Sequence, residues 1–177
     1  RETEEIEKEI RRLVKELREL NDEVEDRVRK LIKELKELND RSERTLRELA
    51  DELRRSGAPE EDVRRVIDRA RKLHRRNKEH SKRVMTEIDK LIKTNRRHTE
   101  RVERELEDLL RKLRRSTDDD VVRKVLERAE RLVREDKKHT KEVLERIKEL
   151  VDRDKKHTRD VNEEVKRLVE EIKKKTK

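Results

Sequence analysis

Apolar residues recur every three or four positions along almost the whole chain. From the N-terminus Ile6, Ile10, Leu13, Leu17, Leu20, Val24, Val28, Leu31, Leu35 and Leu38 form one such series, and Leu46, Leu49 and Leu53 continue it. That spacing puts a single apolar stripe on one side of a helix and leaves the remaining faces to charged residues. The pattern breaks twice. "RRSGAPEED" (Arg54 to Asp62) supplies Gly57 as a C-terminal stop, Pro59 as a first-turn residue and acidic residues that suit a helix start. "RRSTDDDVV" (Arg114 to Val122) places basic residues at a helix end, followed by Ser116, Thr117 and Asp118 as capping candidates. Three helices are therefore predicted, at about 2–55, 60–115 and 118–175, with loops at about 56–59 and 116–117. Loops this short make successive helices antiparallel. The predicted fold is all-α, one antiparallel three-helix bundle domain spanning 1–177, with long coiled-coil-like helices.

The period of the stripe is 18 residues rather than seven: Leu13, Leu31 and Leu49 are equivalent, as are Leu17, Leu35 and Leu53, and Val84 matches Val102. Eighteen residues make five turns at about 3.6 residues each, so the stripe returns to the same azimuth. Straight helices are expected, without the left-handed supercoil that sustained heptads impose.

Polar residues interrupt each stripe at the same period. The first helix has Asn21 and Asn39. The second has Asn77 with His80 and Ser81, then Asn95 with His98 and Thr99. The third has Asp136, His139 and Thr140, then Asp154, His157 and Thr158. In an antiparallel hairpin, residues equidistant from the loop share a level. Asn21 and Asn95 are symmetric about Ala58, as are Asn39 and Asn77; Asn95 and His139 are symmetric about Thr117, as are Asn77 and His157. The two hairpins thus agree on two shared polar layers. Asn21, Asn95 and His139 define one, with His98, Thr99, Asp136 and Thr140 nearby. Asn39, Asn77 and His157 define the other, with His80, Ser81, Asp154, Thr158 and Ser42 nearby. A buried polar group without a partner costs about 1–3 kcal/mol, so residues at core positions on three helices must satisfy one another. Such layers fix register, because a slip sets Asn or His against Leu.

Composition narrows the possible chemistry. Charged residues make up 58% of the chain, which without the strict apolar spacing would mean disorder. There is no Phe, Trp or Tyr, so the usual stacking platforms for bases, sugars and flat cofactors are missing. There is no Cys, hence no disulfide, thiolate nucleophile or Cys-based zinc site. With no Gly-rich phosphate loop and a filled core, neither enzyme activity, a cofactor nor a small-molecule substrate is expected. No metal site is expected either, since no two histidines stand three or four apart on one helix. Across helices, His98 with His139 and His80 with His157 are about one turn out of level, which leaves only adventitious zinc. No apolar run approaches the ~20 residues of a membrane span, so a soluble chain with no natural compartment is expected. The net charge of +9 is concentrated between Glu60 and Arg115, which holds 20 basic and 12 acidic residues. Nonspecific contact with anionic lipid or nucleic acid is conceivable there, against a simpler role in solubility. Stripes mostly limited to two seam positions favour a monomer over an oligomer.

Four of the five histidines fall on layer positions. A neutral imidazole donates from one nitrogen and accepts at the other; protonation removes the acceptor and leaves a cation in the core. Desolvation lowers the pKa of such a ring, whereas Asp136 level with His98 and Asp154 level with His80 favour the charged form, so the sign stays open. His74 stands outside the 18-residue pattern and level with Ser42, and reads as a partly exposed boundary residue. The modules "DKKHT" (Asp136 to Thr140 and Asp154 to Thr158), "NKEHSKRV" (Asn77 to Val84) and "NRRHTERV" (Asn95 to Val102) resemble those of de novo designed helical bundles with modular buried hydrogen-bond networks. The resemblance spans the whole chain. Within that family a subset places histidine in the networks so that acid opens the bundle, and some members disturb membranes at endosomal pH. The resemblance implies a pH-responsive bundle of this kind, with a static scaffold or helix–helix interaction module as the alternative.

Overall fold

A computed structural model describes residues 2–176. Helix α1 is Glu2–Arg55, α2 is Glu60–Arg115 and α3 is Asp119–Thr176, and together they form an all-α three-helix bundle. Each boundary lies within one residue of its expected position. The first loop is built around Gly57, whose φ of 78° lies in the left-handed region. Ser56 closes α1: its Oγ donates to the Leu53 carbonyl at 2.5 Å and its N–H donates to the Glu52 carbonyl at 3.1 Å. Pro59 then accepts the first bond of α2, from the Val63 N–H at 3.1 Å. At the second loop Asp118 is the cap, its Oδ1 accepting from the Asp120 N–H at 3.0 Å. Ser116 steps back one place, accepting the Asp118 N–H at 3.2 Å.

Nothing lies within 4 Å of the Cβ that an alanine would add at Gly57. Gly57→Ala is therefore expected to destabilise through backbone strain alone, by about 1–2 kcal/mol, measured by chemical unfolding. An unchanged midpoint would mean that the loop relaxes to another conformation.

The residues fall into two compact units, and every helix contributes a segment to each. The first comprises the chain up to Arg29 together with Asp89–Ile147; the second comprises Lys30–Ile88 together with the chain from Lys148 onward. In the first unit Ile10, Leu17, Leu106, Leu113, Ala129 and Val133 pack into one core drawn from all three helices. In the second, Leu53, Val165 and Val169 do so with Val63, Val66 and Leu73. No large hydrophobic side chain is exposed among the described residues, as the single stripe requires.

Ion pairs flank the seams at the same period. Lys137 donates to Glu16 at 2.6 Å and Lys155 to Glu34 at 2.7 Å, and Lys173 pairs with Glu52. Each joins α3 to α1, and their positions advance by 18. Surface pairs of this kind add little stability, so they reinforce the alignment that the core sets.

Candidate functional site: two buried polar layers

In the first unit the layer is a chain of donors and acceptors crossing all three helices. Asn21 Nδ2 donates to the Leu17 carbonyl at 2.8 Å and to Thr99 Oγ1 at 3.2 Å, while Asn21 Oδ1 accepts from Asn95 Nδ2 at 3.0 Å. Asn95 Oδ1 accepts from the His139 Nδ1–H at 3.0 Å and from Thr140 Oγ1 at 3.1 Å. Thr99 Oγ1 donates to Asp136 Oδ2 at 2.8 Å, and His98 Nδ1 bonds Asp136 Oδ1. Asp136 and Thr140 are fully buried. A buried carboxylate is tolerated only with donors on its oxygens, and each oxygen of Asp136 has one.

The second unit repeats the arrangement. Asn77 Nδ2 donates to Thr158 Oγ1 at 2.9 Å and to Asn39 Oδ1 at 3.4 Å. Asn77 Oδ1 accepts from His157 Nδ1 at 2.6 Å. Ser81 Oγ donates to Asp154 Oδ2 at 2.7 Å, and His80 Nδ1 bonds Asp154 Oδ1 at 2.6 Å. The Thr158 hydroxyl has three acceptors in reach: Asp154 O at 3.1 Å, Asn77 Oδ1 at 3.2 Å and Asn39 Oδ1 at 3.4 Å. Of the fifteen residues placed in or beside the two layers by register, fourteen are joined in these hydrogen bonds and Ser42 is not.

Sequence register does not anticipate that the histidines stack. His98 and His139 have ring centroids 4.4 Å apart with an interplanar angle of 21°; for His80 and His157 the values are 4.6 Å and 15°. By position number each pair is three residues, or about 4.5 Å, out of level. Helical side chains lean toward the N-terminus of their own helix. On antiparallel α2 and α3 the two rings lean toward each other, and the offset closes. In all four rings Nδ1 faces an acceptor oxygen, so Nδ1 carries the proton in the neutral tautomer. The acceptor nitrogen is the other one, and the rings are only partly buried.

Two further polar residues complete the picture. Ser42 donates to Asn162 Oδ1 at 2.7 Å and makes no hydrogen bond to His74. Asn162 is absent from the expected networks; its one signal is that it stands where the preceding module has Leu144. His74 loses its level partner as a result. Both of its ring nitrogens are buried without a hydrogen bond, so the boundary description fits its carbon atoms alone. Burial pushes the imidazole below its ordinary value; nearby Glu43 opposes this, while Lys78 and Arg47 add to it. The ring also borders a half-open groove of about 460 Å³ floored by Leu46, Ala50, Ile67 and Ala70.

No helix is long and apolar enough to cross a membrane, among the described residues. No protein family, curated protein or solved structure matches the chain.

Proposed function

We propose that the chain is a helical bundle of the designed hydrogen-bond-network kind whose stability falls on acidification. The face-to-face histidine pair inside each polar layer is the observation that carries this reading. One ring of each pair rests on an aspartate and the other on an asparagine oxygen, so the carboxylate can balance one added proton. A second proton brings two cations together across 4.4 Å or 4.6 Å. At an effective dielectric of ~20, unit charges ~4 Å apart repel by about 4 kcal/mol. Partial exposure of the rings weakens this repulsion without removing it. The inward Nδ1–H bonds survive protonation, because the added proton goes to the other nitrogen. Acid thus acts by repulsion between the rings, rather than by removing an acceptor from the network.

His74 supports the same direction. Its folded-state pKa is lowered by burial, so the stability linked to its neutral form is complete above about pH 6.5, the unfolded-state value. That stability is lost as pH falls through 6.5 toward the lowered folded value. Two of the interhelical ion pairs persist near pH 5. Glu16, hydrogen-bonded to Lys137, and Glu25, hydrogen-bonded to Arg96, are held below the usual range and stay charged.

Guanidinium unfolding at pH 7.5 and pH 5 tests the proposal. The parent is expected to unfold at lower denaturant at pH 5. His74→Leu removes part of that difference, and His80→Gln with His157→Gln removes more. A parent equally stable at both values would leave a static scaffold, in which the layers only specify register. Should acid open the bundle, its apolar stripes become available to lipid; dye leakage from anionic vesicles at pH 5, absent at pH 7.5, is the corresponding readout.

A further inference from the structure

We propose that His98, Asp136 and His139 form a binding site for a divalent transition metal of the zinc class. One donor atom from each lies within 4.8 Å of the others, and among the described residues this is the one such group. Two imidazoles and a carboxylate are a donor set that zinc and cobalt(II) take readily, with a fourth position left to water. The backbone beneath all three lies mid-helix, in α2 and α3, so the donors are carried on rigid elements.

The layer supplies an outer shell for such a site. Thr99 Oγ1 holds Asp136 Oδ2 at 2.8 Å, which orients the carboxylate and leaves Oδ1 facing His98. Outer-shell hydrogen bonds of this type fix a ligand's geometry and sustain affinity. A metal replaces the hydrogen bond between His98 and Asp136 and the bond from His139 to Asn95. Nothing buried is left without a partner. Asn95 Oδ1 keeps the Thr140 hydroxyl at 3.1 Å, and Asn95 Nδ2 keeps Asn21 at 3.0 Å. Each imidazole moves its remaining proton to the nitrogen that does not bind, so no buried N–H is stranded.

Metal–ligand distances of about 2.0–2.2 Å put donors about 3.3 Å apart around a tetrahedral centre. The His139 donor must therefore move in by up to roughly 1.5 Å, while the hydrogen-bonded His98–Asp136 pair opens to admit the ion. Small ring rotations achieve this, since His98 and His139 are only partly buried. Their exposed edges also give the ion a way in and leave room for a water ligand. The second layer has the same residue types but differs in geometry. His157 is held on Asn77 at 2.6 Å, against 3.0 Å for His139 on Asn95. Among the described residues, His80, Asp154 and His157 do not bring one donor atom each within 4.8 Å of the others.

The site depends on the first layer's geometry and not on the acid response, so the two can fail separately. The test is titration of the full chain with cobalt(II) at pH 7.5, followed by visible absorption, with zinc added afterwards. One equivalent of cobalt is expected to bind with the intense absorption of a four-coordinate ion, and zinc to displace it. His98→Gln and His139→Gln, each checked for helicity by circular dichroism, are expected to weaken binding by at least about 10-fold, the loss that even an outer-shell substitution produces. His157→Gln in the other layer is expected to leave it unchanged. The proposal is overturned by absence of uptake in the parent, by the weak absorption of a six-coordinate ion, or by equal affinity in the parent and both first-layer variants.

Discussion

Asn77→Leu is expected to lower the unfolding free energy by about 2–4 kcal/mol, although it adds apolar volume to an otherwise apolar seam. Asn77 is fully buried and is the hub of its layer. Its Oδ1 accepts from His157 at 2.6 Å and its Nδ2 donates to Thr158 and Asn39. Leucine strands the His157 N–H, at a cost of about 1–3 kcal/mol. Asn39 keeps only long contacts, from Ser81 at 3.5 Å and Thr158 at 3.4 Å. The bulkier branched side chain adds strain of its own, since overpacking typically costs about 1–3 kcal/mol. Denaturant unfolding at pH 7.5 measures the loss. Replacing the whole second layer with well-packed aliphatic residues should have the opposite sign, because no polar group is then left unmatched. If the single variant proved as stable as the parent, water must reach this level and the layer would not be a closed network.

Leu106→Ala is expected to cost about 2–5 kcal/mol. Leu106 is fully buried in the first unit, within a cluster that includes Ile10, Leu17, Leu110 and Leu113. Alanine removes part of the transfer free energy and leaves a cavity that long, regular helices close poorly. The same unfolding measurement checks it. A loss below about 1 kcal/mol would show that the core collapses around the gap. Truncation of Leu109, only partly buried against the same cluster, should cost less. Comparing Leu106→Ala with Asn77→Leu sets the value of oily packing against that of the polar layers on one scale.

Most of this architecture is legible in the sequence, because the two kinds of information are redundant. The apolar stripe, Gly57 and Asp118 give three helices to within a residue, and the positions of Asn21, Asn39, Asn77 and Asn95 give the register twice over. What the register omits is direction. Position numbers locate Cα atoms, whereas the stacking of His98 on His139 comes from the lean of side chains on antiparallel helices. That lean also brings His139 up to the level pair His98 and Asp136, from which level-matching alone keeps it most of a turn away. The Ser42–Asn162 bond escapes for a different reason. Periodicity finds what recurs, and Asn162 has no counterpart in the preceding module. His74 is visible as an outlier, but its isolation follows from Ser42 bonding Asn162, a residue that the repeat does not mark.

The Ser42–Asn162 bond matters beyond its own energy. A chain written in similar 18-residue blocks is partly degenerate: a helix mis-threaded by one block meets the same oily stripe, and one of its two amides still meets a polar layer, so many contacts would not report the error. Ser42 and Asn162 occur once, and such a shift would pull them about 27 Å apart. One hydroxyl–amide pair thus serves as a serial number, distinguishing the native alignment from its nearest counterfeit.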